Sequence, residues 1–413
     1  MNTTTHIIRY LTAGILVAIL GGLLGWYVFV HRQVATTTAT DAARGLGTTQ
    51  TFGSSNGSTY QNTLTSLGNG SSTVATGATG KQAPRLWEVT SSPVAGMGFI
   101  ASTTRLDFVE RATGNILEAD PQQTKVTRIT NTLFPKVYEA QFAQSGQVVL
   151  RSLSDSGAIT TFLGSVASSS ADQINTPVAL TGIYLPQNIR SITVRNSTSQ
   201  LFFLSPVSGG VSGITTDWKA AAQKKIFASA LTGWQSQWLD DGKTYITQNA
   251  TDGVNGYAFQ LGADGSMTPI LTGTPGLSVL PRSGSQAIIY SASSNGSVSL
   301  YAKQSSGASV EVLPISTVAD KCVWSPWQEL IAYCAVPAAI SSNTFLRDWY
   351  AGIVHTQDSW WKIDVSAGTA ERFYAVDSKY SLDVTNPMID RGGGYIAFIN
   401  NLDKSLWMLK IDQ

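Results

Sequence analysis

Histidine is the side chain most often used to move protons near neutral pH, and this 413-residue sequence has three: His6, His31 and His355. The first two flank an apolar N-terminal run, so histidine chemistry in the rest of the chain falls to His355 alone. A hydrolase of the nucleophile-elbow type needs Gly-x-Ser-x-Gly working with such a histidine, and no such pentapeptide lies near it. Glycoside cleavage needs only two carboxylates about 5 to 10 Å apart, which keeps Asp240 and Asp241 in view. They read more simply as turn residues, as do Asp252 before Gly253 and Asp264 before Gly265. A calcium loop would spell Asp-x-Asp-x-Asp-Gly, and the sequence has none. These residues assign no catalytic group, no metal site and no cofactor.

Cys322 and Cys334 are the only cysteines, and their midpoint falls in the polar turn at 325–329. A hairpin folding about that point sets them opposite each other, about 4.5 to 5.5 Å apart at Cα and within disulfide reach. Two buried thiols packing as small hydrophobes is the other reading. A bridge is expected, and it would require an oxidising compartment.

Elements that could position such residues recur along 85–413. An apolar strand, a tight polar turn and a second strand rich in β-branched and aromatic residues repeat at roughly 40 to 50 residues, the period of propeller blades. The turns read Ala143-Gln144-Ser145-Gly146, Leu239-Asp240-Asp241-Gly242, Pro281-Arg282-Ser283-Gly284, Ser325-Pro326-Trp327-Gln328 and Ile389-Asp390-Arg391-Gly392. Weaker copies at 102–104 and 196–199 bring the number to seven. Gly or Asp there supplies the positive φ that a tight hairpin needs. Third strands are expected at 115–119, 256–261, 297–303, 359–365 and 405–411, and fourth strands at 125–130, 267–271, 310–313 and 370–374. The last copy ends after three strands, while an orphan strand, Arg85-Leu86-Trp87-Glu88-Val89, precedes the first. Pairing the surplus with the deficit closes a ring and removes an open edge. The expectation is an all-β, seven-bladed propeller closed by an N-terminal outer strand.

Ser325-Pro326 with Leu330-Ile331-Ala332-Tyr333, the strand Tyr395-Ile396-Ala397-Phe398, and Trp360-Trp361-Lys362-Ile363-Asp364-Val365-Ser366-Ala367-Gly368 resemble the repeats of TolB-like and WD-repeat-like bacterial propellers. The chain also looks like the membrane-anchored propellers of small-genome bacteria. The resemblance covers 85–413 and implies the fold more strongly than any activity. No turn spells Ser-Pro-Asp-Gly in full, and no Trp-Asp dipeptide ends a repeat.

The sixth copy departs from the period by some twenty extra residues between Pro337 and Asp358, containing Phe345, Arg347, Asp348, Trp349, Tyr350 and His355. Loops between second and third strands project on the same face as the connections between blades, several of which carry aromatics: Phe134, Tyr184, Trp234 and Tyr380. Aromatic, partly charged surfaces build protein hot spots and sugar platforms. Trp349, Tyr350, Arg347, Asp348, His355, Trp234, Tyr184 and Tyr380 are therefore the candidate binding residues. The competing reading folds Trp349 and Tyr350 back to plug the channel mouth or cover the sixth blade.

Ahead of the repeats, residues 10–32 contain an uncharged apolar run from Tyr10 to Val30, flanked by Arg9 and by Trp26, Tyr27 and Arg32. About twenty such residues span a hydrocarbon core, and the run is too long for a cleaved signal. Residues 1–9 then stay in the cytoplasm, and 33–84, rich in Ser, Thr and Gly, form a disordered tether about 40 Å in root-mean-square span, a stretch also suited to glycosylation. Gly21 and Gly25 could pair two such helices into a dimer, although small residues are common in membrane helices anyway. With 27 basic and 26 acidic residues and no basic cluster, nucleic acid is not an expected partner. The reading is a single-pass protein of the cytoplasmic membrane, N-terminus inside and propeller outside. It acts as a non-catalytic protein-interaction or envelope scaffold module with an envelope or surface protein as partner, or as a carbohydrate-binding or carbohydrate-cleaving propeller.

Overall fold

The run Leu201-Phe202-Phe203-Leu204 is apolar at consecutive positions, so a strand made from it must bury both faces. The computed structural model describes residues 84–411 apart from 101–102, 167–176, 196, 199, 306 and 341, and all four of these side chains are fully buried. Leu201 and Phe203 pack toward one neighbouring sheet, Phe202 and Leu204 toward the other. Each such side chain contributes about 1.5 to 3 kcal/mol. A sheet with two greasy faces needs a neighbour on each side, and radial repetition satisfies that need for every sheet.

Seven four-stranded antiparallel sheets result. A first strand, β1 (Leu86–Thr90), precedes blade one, which is β2 (Val94–Phe99), β3 (Leu106–Glu110), β4 (Ile116–Asp120) and β5 (Lys125–Arg128). Blade two is β6 (Val137–Phe142), β7 (Gln147–Leu153), β8 (Ile159–Val166) and β9 (Leu180–Tyr184). Blade three is β10 (Ser191–Arg195), β11 (Gln200–Val207), β12 (Gly210–Asp217) and β13 (Lys224–Ser229). Blade four is β14 (Trp234–Trp238), β15 (Thr244–Gln248), β16 (Asn255–Leu261) and β17 (Met267–Pro275). Blade five is β18 (Ser278–Pro281), β19 (Ile288–Ser294), β20 (Ser297–Lys303) and the two-residue β21 (Glu311–Val312). Blade six is β22 (Cys322–Trp324), β23 (Ile331–Pro337), β24 (Asp358–Asp364) and β25 (Thr369–Tyr374). Blade seven has β26 (Val384–Ile389), β27 (Tyr395–Asn400) and β28 (Leu406–Lys410), and its outer strand is β1, with Trp87 opposite Met408 and Glu88 opposite Trp407.

Seven apolar clusters, one for each pair of neighbouring blades, hold the ring together. The cluster joining blade seven to blade one contains Leu406 and Met408 beside Leu106 and Phe108, with Val89 of β1 in the same core. The ring is therefore closed by packing as well as by strand exchange. Blades one and two approach so closely at Gly96 that a Cβ there would stand 2.0 Å from the Ala140 carbonyl oxygen.

Hairpins between first and second strands use the expected glycines: Gly146, Gly242 and Gly284 have φ of 80°, 90° and 76°. In blade seven the left-handed residue is Gly393 (φ 70°) rather than Gly392. Asp390 takes the amides of Gly392, Gly394 and Tyr395 on its carboxylate, which lengthens the turn by one residue. In blade six Leu330 belongs to the turn, with φ 59°, and not to the strand after it. Cys322 stands opposite Cys334 in the ladder, and the two form a disulfide with Cα atoms 4.0 Å apart.

The expected membrane segment at 10–32, the Gly21–Gly25 helix pair and the tether up to 83 lie outside the described residues. Among the described residues no helix is long and apolar enough to cross a membrane.

Candidate functional site

The twenty residues between β23 and β24 fold as a compact cap on one face of the ring. Their core is a six-residue helix, α1 (Phe345–Tyr350), which has no side-chain cap of its own. So short a helix does not hold itself together. Its support is tertiary: Phe345, Leu346 and Trp349 are buried together with Val298 of blade five and Val318 of the connection from blade five to blade six. Asp252, from the loop between β15 and β16, accepts the Arg347 amide at 3.0 Å and the Ser293 hydroxyl at 3.0 Å. The cap thus reaches from blade six back to blade four.

Beneath it lies a fully buried lysine. Lys321, at the end of a 3-10 turn (Ala319–Lys321), donates to Asp358 Oδ2 at 2.6 Å, Asp383 Oδ1 at 2.7 Å, Thr356 Oγ1 at 2.9 Å and the Val384 carbonyl at 3.1 Å. Its ammonium also sits 4.7 Å from the centre of the Trp349 ring. An ammonium has three protons to donate, and this one is held between two carboxylates, a hydroxyl and a carbonyl.

Asp383 is the hub. Its Oδ1 accepts from Lys321, from Trp349 Nε1 at 2.8 Å and from Thr356 at 2.7 Å, and its Oδ2 meets His355 Nδ1 at 3.0 Å and Asn401 Nδ2 at 3.2 Å. Burial alone would raise the Asp383 carboxyl, but the Lys321 charge and the bonds from Lys321, Trp349 and Thr356 more than offset it and hold it below the usual carboxylate range. Asp358 is shifted the other way, because its burial outweighs Lys321, and its Oδ1 has no hydrogen-bond partner among the described residues.

Five candidate residues come together on this cap. Trp349 is not presented to solvent: only 3% of it is exposed, and it roofs the Lys321 site while stacking on Phe345. Tyr350 is 40% exposed, with its hydroxyl donating to Asp320 Oδ2 at 2.5 Å. Arg347 is exposed and pairs with Asp348 at 2.9 Å, whose carboxyl is held low by bonds from Thr344 and Arg347. His355 joins the solvent to the buried network through Asp383, its side chain 29% exposed.

The other three candidates lie elsewhere on the ring. Tyr380, in the connection from blade six to blade seven, packs edge-on against Trp407 and is linked to the cap through its carbonyl and Gln357. Trp234 is a core residue between blades three and four, edge-on to Phe227 and Phe259, with its indole N–H on Ser229. Tyr184 ends the outer strand of blade two, exposed and edge-on to Phe162.

Sequence reasoning missed Lys321, Asp358, Asp383 and Ile353, the last of these 72% exposed in the cap. Asp320-Lys321 reads as a solvated pair in a loop, and only the packing of three separated segments shows otherwise. Ile353 follows Gly352, whose φ of 69° turns the chain there, and half of the insertion is apolar, so nothing in the sequence sets this isoleucine apart.

No protein-family model matches the sequence, and no curated protein is similar to it. Among solved structures, YCF48 bound to D1 peptide superposes with a TM-score of 0.51 at 11% identity, covering 81% of this chain and 96% of that one. An oligogalacturonate lyase from Vibrio parahaemolyticus gives 0.50 at 8% identity over 79% and 94%. TolB from Acinetobacter baumannii gives 0.41 at 12% identity over 77% and 79%. At such identities the likeness to YCF48 and to the oligogalacturonate lyase shows the shared architecture and nothing finer: the chain is a seven-bladed β-propeller.

Proposed function

We propose that the protein is a membrane-anchored, extracytoplasmic and non-catalytic interaction module of the cell envelope. Residues 10–32 form the anchor, 33–84 the tether, and the capped face of the propeller engages a membrane component. The observation that carries this reading is the contrast within the cap. Its base is fixed by the Lys321–Asp383 pair, with neither side chain reached by solvent, while its tip presents Ile353 and Tyr350. Rigid display of apolar groups lowers the ordering cost of binding, which is how recognition surfaces gain affinity. The disulfide supports the extracytoplasmic placement, since such bonds persist in oxidising compartments.

The test is photo-crosslinking from position 353 in intact cells, with position 327 on the opposite face as control. A discrete adduct, protein or lipid, that forms from 353 and not from 327 supports the proposal. Equal labelling from both positions, or none from either, overturns it.

A further inference from the structure

Loops that join second to third strands, and connections between blades, share one side of the ring. Asp383, in a connection, bonds Thr356 of the cap and Asn401 of the blade-seven loop. The remaining hairpins share the other side and are stitched to one another: Ser197 to Asp240, Asp241 to Gly284, and Arg282 to the Ser325 carbonyl. The two sides differ in what they expose. Among the described residues fifteen large hydrophobic side chains are exposed, and nine of them lie on the capped side, in its loops or at the strand ends leading into them. They include Leu133, Leu153, Val207, Val254, Ile353 and Leu402, which belong to different blades. The opposite side carries three, of which Trp327 is partly occupied against Gly393 of the neighbouring blade.

Singly exposed hydrophobics are ordinary, and a protein hot spot gathers them into one cluster. Here they are distributed around the ring at loop tips on one common side, which suits a flat and laterally uniform partner. The charges of that side are mixed, with Arg347 beside Asp348 and Lys379 beside Asp377, so no strong field selects an anionic surface. We infer that the capped face docks onto the neutral surface of a lipid bilayer, with the loop tips entering the headgroup region as single apolar side chains.

The chain outside the described residues allows this. It enters the ring at Arg85, beside Lys410, while the adjoining Ile411 bonds Gly394 of a hairpin on the uncapped side. The 51 residues from 33 to 83 extend to roughly 170 Å, several times the roughly 20 Å radius of gyration of a domain this size. A tether entering from the far side can therefore pass around the propeller and let the capped face meet the membrane. Being held there raises the local concentration of the face at the bilayer, so weak insertion of each tip suffices. This step rests on the anchored reading of 10–32, whereas the sidedness of the apolar tips does not.

The domain 84–413 suits a direct test, because all seven inter-blade cores and the closing strand lie within it. It is floated with phosphatidylcholine vesicles as wild type, as I353D/V254D and as W327D. Wild type and W327D are expected to float alike, and the double variant to lose at least tenfold in bound fraction, with little effect of salt. Failure of the wild type to float, equal loss in W327D, or floating only with anionic vesicles at low salt overturns the inference. So does a specific protein adduct from position 353 in place of lipid. Carbonate extraction of the full chain reads the anchor separately: an extraction-resistant chain whose domain ignores vesicles keeps the anchored reading and sinks this one.

Discussion

Lys321 and Asp383 lie 2.7 Å apart at the junction of blades six and seven, and neither is reached by solvent. A charge pair in such a place is worth little relative to a well-packed apolar pair, but removing one partner strands the other. Lys321→Met leaves the carboxylates of Asp358 and Asp383 facing each other without their cation. It is expected to cost about 3 to 5 kcal/mol, measured by urea unfolding at pH 7. A loss below about 1 kcal/mol would show that water reaches the site and screens it.

Trp349 and Ile353 are four residues apart and serve opposite ends of the cap. Trp349→Ala opens a cavity over the Lys321 ammonium and removes an indole bond to Asp383, so a loss of about 3 to 5 kcal/mol is expected. Ile353→Ser removes an exposed side chain and should leave stability within about 0.5 kcal/mol. Thermal melts of the two variants side by side check the contrast, and similar melting temperatures would contradict the placement of Trp349 as a roof.

The difference between these two residues marks how far the sequence could be read. The strands and the count of blades follow from period-two patterning and from turn glycines, which are local signals, and the pairing of the Trp87 strand with the Trp407 strand follows from counting one strand too many at the start and one too few at the end. The insertion is legible as an interruption of the period. Its helix is not, because six residues without a cap depend on Val298, Val318 and Asp252 from elsewhere in the ring. For the same reason Trp234 looks like a surface aromatic in the sequence and is a core residue in the fold, and of the two readings open for Trp349 the fold takes the one that turns it back as a cover. The site around Lys321 joins residues 37 and 62 positions away, and no local pattern marks a lysine that will be enclosed.

Asp107 gives the fold a pH dependence of definite sign. Burial, with a smaller push from Glu118 opposite it in the ladder, raises its carboxyl to about 7, and its Oδ1 has no hydrogen-bond partner among the described residues. Between the unfolded value of 3.8 and about 7 the folded chain holds a proton that the unfolded chain releases. Stability therefore falls as pH rises through this window, by at most about 4 kcal/mol. Asp383, held low, acts in the opposite sense and loses its contribution only as pH drops below about 4. Chemical denaturation at pH 5, 6 and 7 should show declining stability in the wild type and a flatter profile in Asp107→Asn. Equal slopes would remove Asp107 as the cause.

The outer strand of blade seven is supplied from the other end of the sequence, and its side chains serve two cores at once. Val89 is buried in the cluster between blades seven and one with Trp87 packed against it, and Leu86 packs against the cluster between blades six and seven. Deleting 86–90 removes this apolar area, in which Val89 is buried and Leu86 and Trp87 are partly buried, against about 1.5 to 3 kcal/mol for one fully buried side chain. It also leaves β28 as an open edge able to pair with another chain. The shortened domain should unfold at lower urea and self-associate, as read by light scattering. A peptide of residues 84–92 added in trans should reverse both effects, because the register of Trp87 on Met408 needs no covalent link to blade one. A deletion that leaves stability and mass unchanged would mean that blades seven and one hold together without the strand, through the contacts of Ala397, Ile399, Leu406 and Met408.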